Sequence, residues 1–241
     1  MIELQNLTCY YENRVVLKNI SLSIEKHLTI LGANGAGKST LAKAICGLIP
    51  YKGEILIDDA DIKELSLKEK AKLLAYIPAK LNVYDAYITL FEFVLLGRFP
   101  FKKSFFDYSM QDKKIVEESL KYCNISHLKD ASLHSLSSGE SQLALIAQAI
   151  TQKSRIIIFD EPTANLDPKN SKIIAEHIKS LQKEQEIILI THDIHLAEFI
   201  DAPIGFIKEK ILHHYGADFF EPHNLSKLYE VEFDAKGLKY V

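Results

Sequence analysis

The sequence predicts an α/β protein. Its core is a mostly parallel, doubly wound sheet, with an antiparallel β part near the N-terminus and a helical segment inserted in the middle. Three observations carry this expectation. Leu28 to Leu31, Arg155 to Phe159 and Ile187 to Ile190 are short, nearly continuous apolar runs, as in parallel strands buried on both faces. Stretches of helical period alternate with them, which is the pattern that builds such a sheet. The first of these strands runs into Gly32-Ala33-Asn34-Gly35-Ala36-Gly37-Lys38-Ser39-Thr40, which fits the phosphate-loop pattern G-x-x-x-x-G-K-[ST] between a strand and a helix.

The elements follow in order. Ile2-Glu3-Leu4 and Val15 to Ile24 alternate and read as antiparallel strands with polar turns. Leu28 to Leu31 enters the glycine-rich loop, and the run from Leu41 to Leu48 leaves it as a helix. Glu54 to Ile57 is a strand entered through Gly53. Leu65 to Leu74 is helical, and Leu74 to Ile77 is a short strand ended by Pro78. From Thr89 to about Cys123 the period is helical, with a break at Gly97-Arg98-Phe99-Pro100. Leu143 to Ile150 is a helix, Arg155 to Phe159 a buried strand, Ser171 to Leu181 an amphipathic helix and Ile187 to Ile190 another buried strand. The helical stretch 85–138 reads as the insertion.

Composition narrows the class. The 241 residues are 47% hydrophobic and 25% charged, as in a soluble globular protein. A net charge of −3 offers no strong field to nucleic acid. Cys9, Cys46 and Cys123 are scattered, without a C-x-x-C, so reduced buried thiols are expected rather than a disulfide framework or a zinc site. No apolar run approaches the ~18 residues of a membrane-spanning helix. Met1 to Asn6 lacks the basic and apolar regions of a signal peptide.

The chemistry sits in three places. In the glycine-rich loop, backbone N–H groups of Asn34, Gly35, Ala36 and Gly37 curl toward phosphate oxygens, and the following helix adds its positive N-terminal end. Lys38 is expected to reach the β and γ phosphates, and Ser39, with Thr40 beside it, to help hold Mg²⁺. Ile156-Ile157-Ile158-Phe159-Asp160-Glu161 places two carboxylates at the end of a buried strand, where open parallel sheets bind ligands. Asp160 suits Mg²⁺, and Glu161 suits a water that attacks the γ-phosphate. Leu136-Ser137-Ser138-Gly139-Glu140 precedes a helix beginning near Ser141, and reads either as a second anion-binding turn or as an ordinary capped turn.

The order of these segments, continued by Ala164-Asn165-Leu166-Asp167 and Thr191-His192-Asp193, resembles the ATP-binding subunit of ABC transporters over the whole chain. The resemblance implies a P-loop NTPase of the ABC ATPase type. Its single domain, 1–241, has a nucleotide-binding core at 1–84 and 139–241 and a helical subdomain at 85–138. It implies ATP and Mg²⁺ as ligands, with Lys38, Glu161 and His192 catalytic, the histidine hydrogen-bonding the γ-phosphate. Tyr11, or its neighbour Tyr10, takes the place of the adenine-stacking aromatic. Ser137, Ser138 and Gly139 match the signature loop, which in the family touches ATP held by the partner subunit, and Asp167 matches the loop that communicates across that interface. A head-to-tail homodimer, integral-membrane permease subunits and, indirectly, a substrate-binding protein are the implied partners. Nucleic acid is not. The implied location is the cytoplasmic side, peripheral on the inner face of the cell membrane.

The chain departs from the family pattern at three positions. Ala79 stands where a glutamine is expected, Ser138 where glycine is usual, and Gln142 where a basic residue is common. Ala79 matters most. In the family that glutamine contacts Mg²⁺ and the attacking water and links ATP to the membrane subunit, so Ala79 implies altered coupling, slow hydrolysis or substitution by a neighbour such as Asn82. This keeps open a second class, a nucleotide-gated dimerising protein with little turnover. Phe93 to Pro100 and the tail Asn224 to Val231 resemble the importers of iron–siderophore, haem and cobalamin, a segment shared in part with zinc, manganese and molybdate importers. Leu90 to Phe101 is either a docking surface for a permease loop or the core of the helical subdomain. His195 and the His213-His214 pair have no third ligand and read as surface residues.

Overall fold

Strand alternation sets the inner face of the N-terminal sheet, and two asparagines reset it. In a computed structural model that describes residues 1–11, 14–82, 87–102 and 108–230, β1 spans Ile2–Tyr11 and β2 spans Arg14–Ile24. Ile2 and Leu4 face inward on β1, then Leu7 and Cys9 do, so the period of two slips once between Leu4 and Leu7. Asn6 sits in that slip in the left-handed region, φ 51°, and Asn19 does the same on β2, φ 53°. Asparagine tolerates this conformation better than most residues, which suits it to a bulge. The freed backbone groups are met locally: Asn6 N–H donates to Ser21 Oγ and Asn19 N–H to Thr8 Oγ1.

The chain packs as two units, Met1–Glu64 with the chain from Glu186 on, and Leu65–Gln185. In the first, β3 (Leu28–Gly32) is buried along its full length and leads through the glycine loop to α1 (Lys38–Ile45). β4 (Tyr51–Ile57) and β5 (Ala60–Asp61) complete an antiparallel sheet in the order β2-β1-β4-β5. Asp58 and Asp59, both at positive φ, make the two-residue turn between them.

The second unit is organised by capped helices. α2 (Leu67–Leu73) leads into β6 (Leu74–Ile77), and α3 (Leu90–Leu95) continues as a 3-10 turn over Leu96–Phe101. α4 (Met110–Tyr122) and α5 (Ser138–Gln152) follow, then β7 (Ile156–Asp160) and α6 (Pro168–Leu181). Ser66/Glu69, Thr89/Glu92, Ser109/Asp112 and Ser137/Glu140 form reciprocal capping boxes on α2, α3, α4 and α5. β6 and β7 pair in parallel, Leu74 opposite Ile156 and Ile77 opposite Phe159.

Leu90 to Phe101 is mostly packed into the helical part, with two apolar side chains left exposed. Leu90, Val94, Leu95, Gly97, Arg98 and Pro100 are buried, whereas Leu96 and Phe99 are 47% and 59% exposed. Arg98 fixes the segment: Nε pairs with Asp112 Oδ1 at 2.8 Å, Nη1 donates to the Thr151 carbonyl at 3.0 Å, and the guanidinium lies 4.0 Å from the Phe101 ring centre. Burial would raise the Asp112 carboxyl, but hydrogen bonds from Ser109 and Arg98 outweigh it and hold it below the usual range.

The chain then returns to the first unit. β8 (Glu186–Ile190), α7 (Ile194–Ile200), β9 (Ile204–Lys208), β10 (Ile211–Tyr215) and α8 (Pro222–Tyr229) close it. β3 lies between β8 and β9, parallel to both, and β10 runs antiparallel outside β9. Phe206, Phe219 and Leu225 bury this end, with Tyr215, Phe220 and Tyr229 packed on them. The resembling tail Asn224 to Val231 ends outside the described residues at Val231. Cys9 and Cys123 are buried thiols, pushed up by burial to about 11 and about 12, and Cys46 is a half-buried thiol. Among the described residues no helix is long and apolar enough to cross a membrane.

Replacing Arg98 by methionine keeps an apolar stem but strips the cation from Asp112, whose side chain is only 14% exposed. Breaking one side of a buried pair usually costs about 3–5 kcal/mol. Because Ser109 still holds the carboxylate, the expected loss is about 3 kcal/mol, read as a lower urea midpoint at unchanged slope. A loss below about 1 kcal/mol would show that packing, not the pair, holds the segment.

Candidate phosphate-loop site and strand-end carboxylates

In the first unit the loop after β3 is shaped for an anion. Gly37 is the N-cap of α1, at φ 101°, and supplies no side-chain cap, and no acidic residue lies in the first turn. α1 thus starts without a side-chain acceptor from a cap. Asn34 and Gly35 are exposed, while Ala36, Gly37, Ser39 and Thr40 are half-buried. Lys38 is 5% exposed and folds back over its own loop, its Nζ donating to the Gly32 carbonyl at 2.9 Å and the Ala33 carbonyl at 3.2 Å. Two glycines of the loop are constrained differently. A Cβ on Gly37 would lie 2.8 Å from Val16 Cγ1 and 3.0 Å from Leu17 Cδ2, whereas one on Gly35, φ 80°, meets nothing within 4 Å.

His192 lies in the same unit at the same end of the sheet. β3 and β8 run in parallel with Ile30 opposite Ile190, and Thr191 N–H donates to the Ile30 carbonyl at 3.1 Å. The glycine loop and His192 therefore leave neighbouring strands at their carboxyl ends. His192 is exposed, and Asp193 beyond it caps α7 through the Leu196 N–H. Tyr11 closes β1, but its side chain lies outside the described residues. Tyr10 is half-buried, with Lys52 Nζ 5.4 Å from its ring centre.

In the second unit β7 ends in Asp160, 3% exposed, whose Oδ2 accepts the Tyr76 hydroxyl at 2.6 Å. Glu161 follows with φ 52°, a left-handed conformation that costs a non-glycine residue about 1 kcal/mol and turns the chain sharply after the strand. Its carbonyl accepts the Ala164 N–H at 3.1 Å. A hydroxyl such as that of Ser39 and a carboxylate such as Asp160 are hard oxygen donors, and this chemistry fits Mg²⁺. Ala79 and Asn82 are both exposed beyond β6.

The signature-like turn lies earlier than expected. α5 begins at Ser138, not near Ser141, because Ser137 is a full N-cap: its hydroxyl receives the Glu140 N–H, and Glu140 in turn accepts from the Ser137 N–H and hydroxyl at 2.8 and 2.7 Å. The anion-binding and helix-capping readings of this turn share the same residues. Asp167 caps α6, accepting from the Lys169 and Asn170 N–H groups at 2.9 and 3.0 Å and from the Asn170 side chain. Those hydrogen bonds, Asn170's first, lower its carboxyl below the usual range. Asn170 also abuts Gly139, where a Cβ would come within 2.7 Å of its Cγ. Asn170 thus joins the two turns, a link that sequence reasoning missed although an Asp followed three residues later by Asn is a readable capping signal. Tyr76 was missed too. Its partner lies 84 residues away, and no local pattern announces it.

Residues 17–164 match the ABC transporter family. An uncharacterized ABC transporter ATP-binding protein of Methanocaldococcus jannaschii is 36% identical over 228 residues, covering 92% of this chain and 88% of that one. A probable iron chelatin transport ATP-binding protein of Helicobacter pylori is 32% identical over 246 residues, covering 98% and 95%. A solved transporter described as of the metal-chelate ABC type, in an inward-facing conformation, matches with a TM-score of 0.82 at 26% identity, over 96% of this chain and 89% of that one. A dimeric ATP-binding cassette in a post-hydrolysis state with ADP and Pi matches with a TM-score of 0.78 at 27% identity, over 89% and 98%. The chain belongs to the ABC transporter family and is an ATPase of the ABC type.

The glycine loop yields a ranking. Gly35→Ala adds only backbone strain, about 1 kcal/mol. Gly37→Ala adds that strain and a collision with Val16 and Leu17, and is expected to cost at least about 2 kcal/mol more in urea unfolding. Equal losses would mean that the loop relaxes away from β2.

Proposed function

We propose that this chain is the ATP-hydrolysing subunit of an importer and powers uptake of an iron chelate or related metal compound. The observation that carries the ATP reading is the uncapped α1 terminus with Lys38 folded over the loop. The cargo class is supported by the iron chelatin relative, the metal-chelate neighbour and the Phe93 to Pro100 segment. Asn34, Gly35 and Gly37 present backbone N–H groups to the phosphates, Ala36 joins them by releasing the Ala33 carbonyl to which its N–H donates at 3.1 Å, and Lys38 exchanges the Gly32 and Ala33 carbonyls for phosphate oxygens. Ser39 and Asp160 hold Mg²⁺, which supplies charge neutralisation as the phosphoryl group leaves. Glu161 polarises the attacking water, His192 hydrogen-bonds the γ-phosphate, and Tyr11 or Tyr10 stacks on adenine.

The working unit in this reading is a homodimer in which Ser137, Ser138 and Gly139 face ATP on the partner, with Asp167 at the interface. Residues 85–138 serve as the helical subdomain. Permease subunits dock against it from the membrane, a substrate-binding protein acts at one remove, and the chain works at the inner face of the cell membrane. A second reading, a nucleotide-gated dimer with slow turnover, is favoured by Ala79 alone, since alanine has no group to meet Mg²⁺ or water.

Mg-ATP hydrolysis by the purified chain, with and without its membrane partners, tests the proposal. Glu161→Gln is expected to lower kcat by about 10²–10⁴-fold, and Ala79→Gln to raise it. ATP binding and dimerisation without turnover above the Glu161→Gln control would establish the gated reading instead. For docking, Phe99→Glu is expected to abolish membrane association while ATP binding and thermal midpoint stay near those of the parent, because Phe99 is 59% exposed. Retained association would exclude this face.

A further inference from the structure

We propose that Tyr76 is a positioning residue for the metal step: its hydroxyl sets the orientation of the Asp160 carboxylate that holds Mg²⁺. The inference rests on the reading that Asp160 is a metal-holding group. It is carried by the geometry of the β6–β7 pair. Tyr76 lies opposite Ile158 in parallel register, and residues paired in this way share a face of the sheet. Asp160, two residues beyond Ile158, lies on that face too. The gap from Tyr76 to Asp160 along the strand is two residues, roughly 6.6 Å at the strand rise. A tyrosine is long enough to span it, and its hydroxyl reaches Asp160 Oδ2 at 2.6 Å. Serine or threonine is too short, and phenylalanine has no donor.

The rest of β6 does not require a polar side chain here. Leu74, Ala75 and Ile77 are buried apolar residues, and Tyr76 is the half-buried exception. Asp160 is 3% exposed, and a carboxylate so far from water needs hydrogen-bond donors to be tolerated. With Oδ2 engaged by the hydroxyl, rotation of the carboxylate about its last bond is restricted and its plane is set before the metal arrives. Groups that orient a ligating carboxylate in this way typically matter by 10–100-fold in metal affinity or activity. Tyr76 also stands three residues before Ala79 on the same strand exit, so the chain retains a polar link between β6 and the carboxylate although the family's glutamine is absent.

The test is equilibrium binding of a non-hydrolysable ATP analogue to the full chain, titrated with Mg²⁺ and repeated in EDTA, for the parent, Tyr76→Phe, Asp160→Asn and the double variant. Tyr76→Phe is expected to raise the Mg²⁺ concentration at half-maximal binding about tenfold. Binding in EDTA should stay within about twofold and the thermal midpoint within a few degrees of the parent. Asp160→Asn should remove the Mg²⁺ enhancement, and Tyr76→Phe should add nothing to it. A Tyr76→Phe midpoint within about twofold of the parent overturns the positioning role while leaving the ATPase reading intact. Equal losses with Mg²⁺ and in EDTA assign Tyr76 to packing and overturn it as well. An Asp160→Asn variant that keeps the full Mg²⁺ enhancement overturns the metal-holding reading of Asp160, and the inference with it.

Discussion

A strand buried on both faces has room for charge only where it ends. β3, β7 and most of β8 are sealed along their length, so their polar neighbours are forced to the exits: Lys38 beyond the loop after β3, Asp160 and Glu161 at the end of β7, His192 just after β8. A charged side chain placed within β7 would sit among Ile156, Ile157, Ile158 and Phe159, each at 0% exposure, at a cost of several kcal/mol. In each unit the hydrophobic requirement that builds the strands therefore delivers the charged groups to strand ends, where open parallel sheets leave space for a ligand.

The second unit meets a different constraint, the unsatisfied N–H groups at each helix start. Four reciprocal Ser/Thr–acid boxes and Asp167 satisfy them. Two of these caps fall on residues to which the proposed function gives a part. Ser137 begins the signature-like turn while capping α5, and Asp167 caps α6 while occupying the loop that the family uses between subunits. Capping fixes the backbone of each turn, and Asn170, hydrogen-bonded to Asp167 and packed on Gly139, holds one turn against the other. By contrast α1 has no such cap. Its N-terminus, left without a side-chain cap, follows directly on the glycine loop.

Much of this was legible in the chain. Buried parallel strands, the glycine loop and the strand-end acids announce themselves because each is a local pattern with a local cause. What stayed hidden depends on partners far along the chain or on turns without their usual residues. β9 and β10 are joined by Glu209-Lys210, both at positive φ, in a two-residue hairpin that Asn-Gly would have flagged. The slips at Asn6 and Asn19 break strict alternation, which shortened the reading of β1. Arg98 reads as part of a helix break, yet its burial follows from Asp112, Thr151 and Phe101, which only the fold assembles. α5 starts three residues before the expected Ser141, because Ser137 and Glu140 cap each other in a reciprocal pair.

If Lys38 meets phosphate as proposed, its conformation bears on how ATP binding is driven. A lysine brought from water to a site that is 5% exposed loses most of its hydration. Here that loss is incurred when the protein folds, and the Gly32 and Ala33 carbonyls offset it. Charge-assisted hydrogen bonds contribute roughly 1.5–3 kcal/mol each. A phosphate that displaces the carbonyls must therefore supply acceptors at least as strong, and an anionic oxygen does so where a neutral ligand does not. The loop is already curled and the lysine already desolvated, so little ordering or dehydration remains for the binding step. In the proposed function, selectivity for polyphosphate follows from the same arrangement: the Gly32 and Ala33 carbonyls set a threshold that a charged acceptor exceeds.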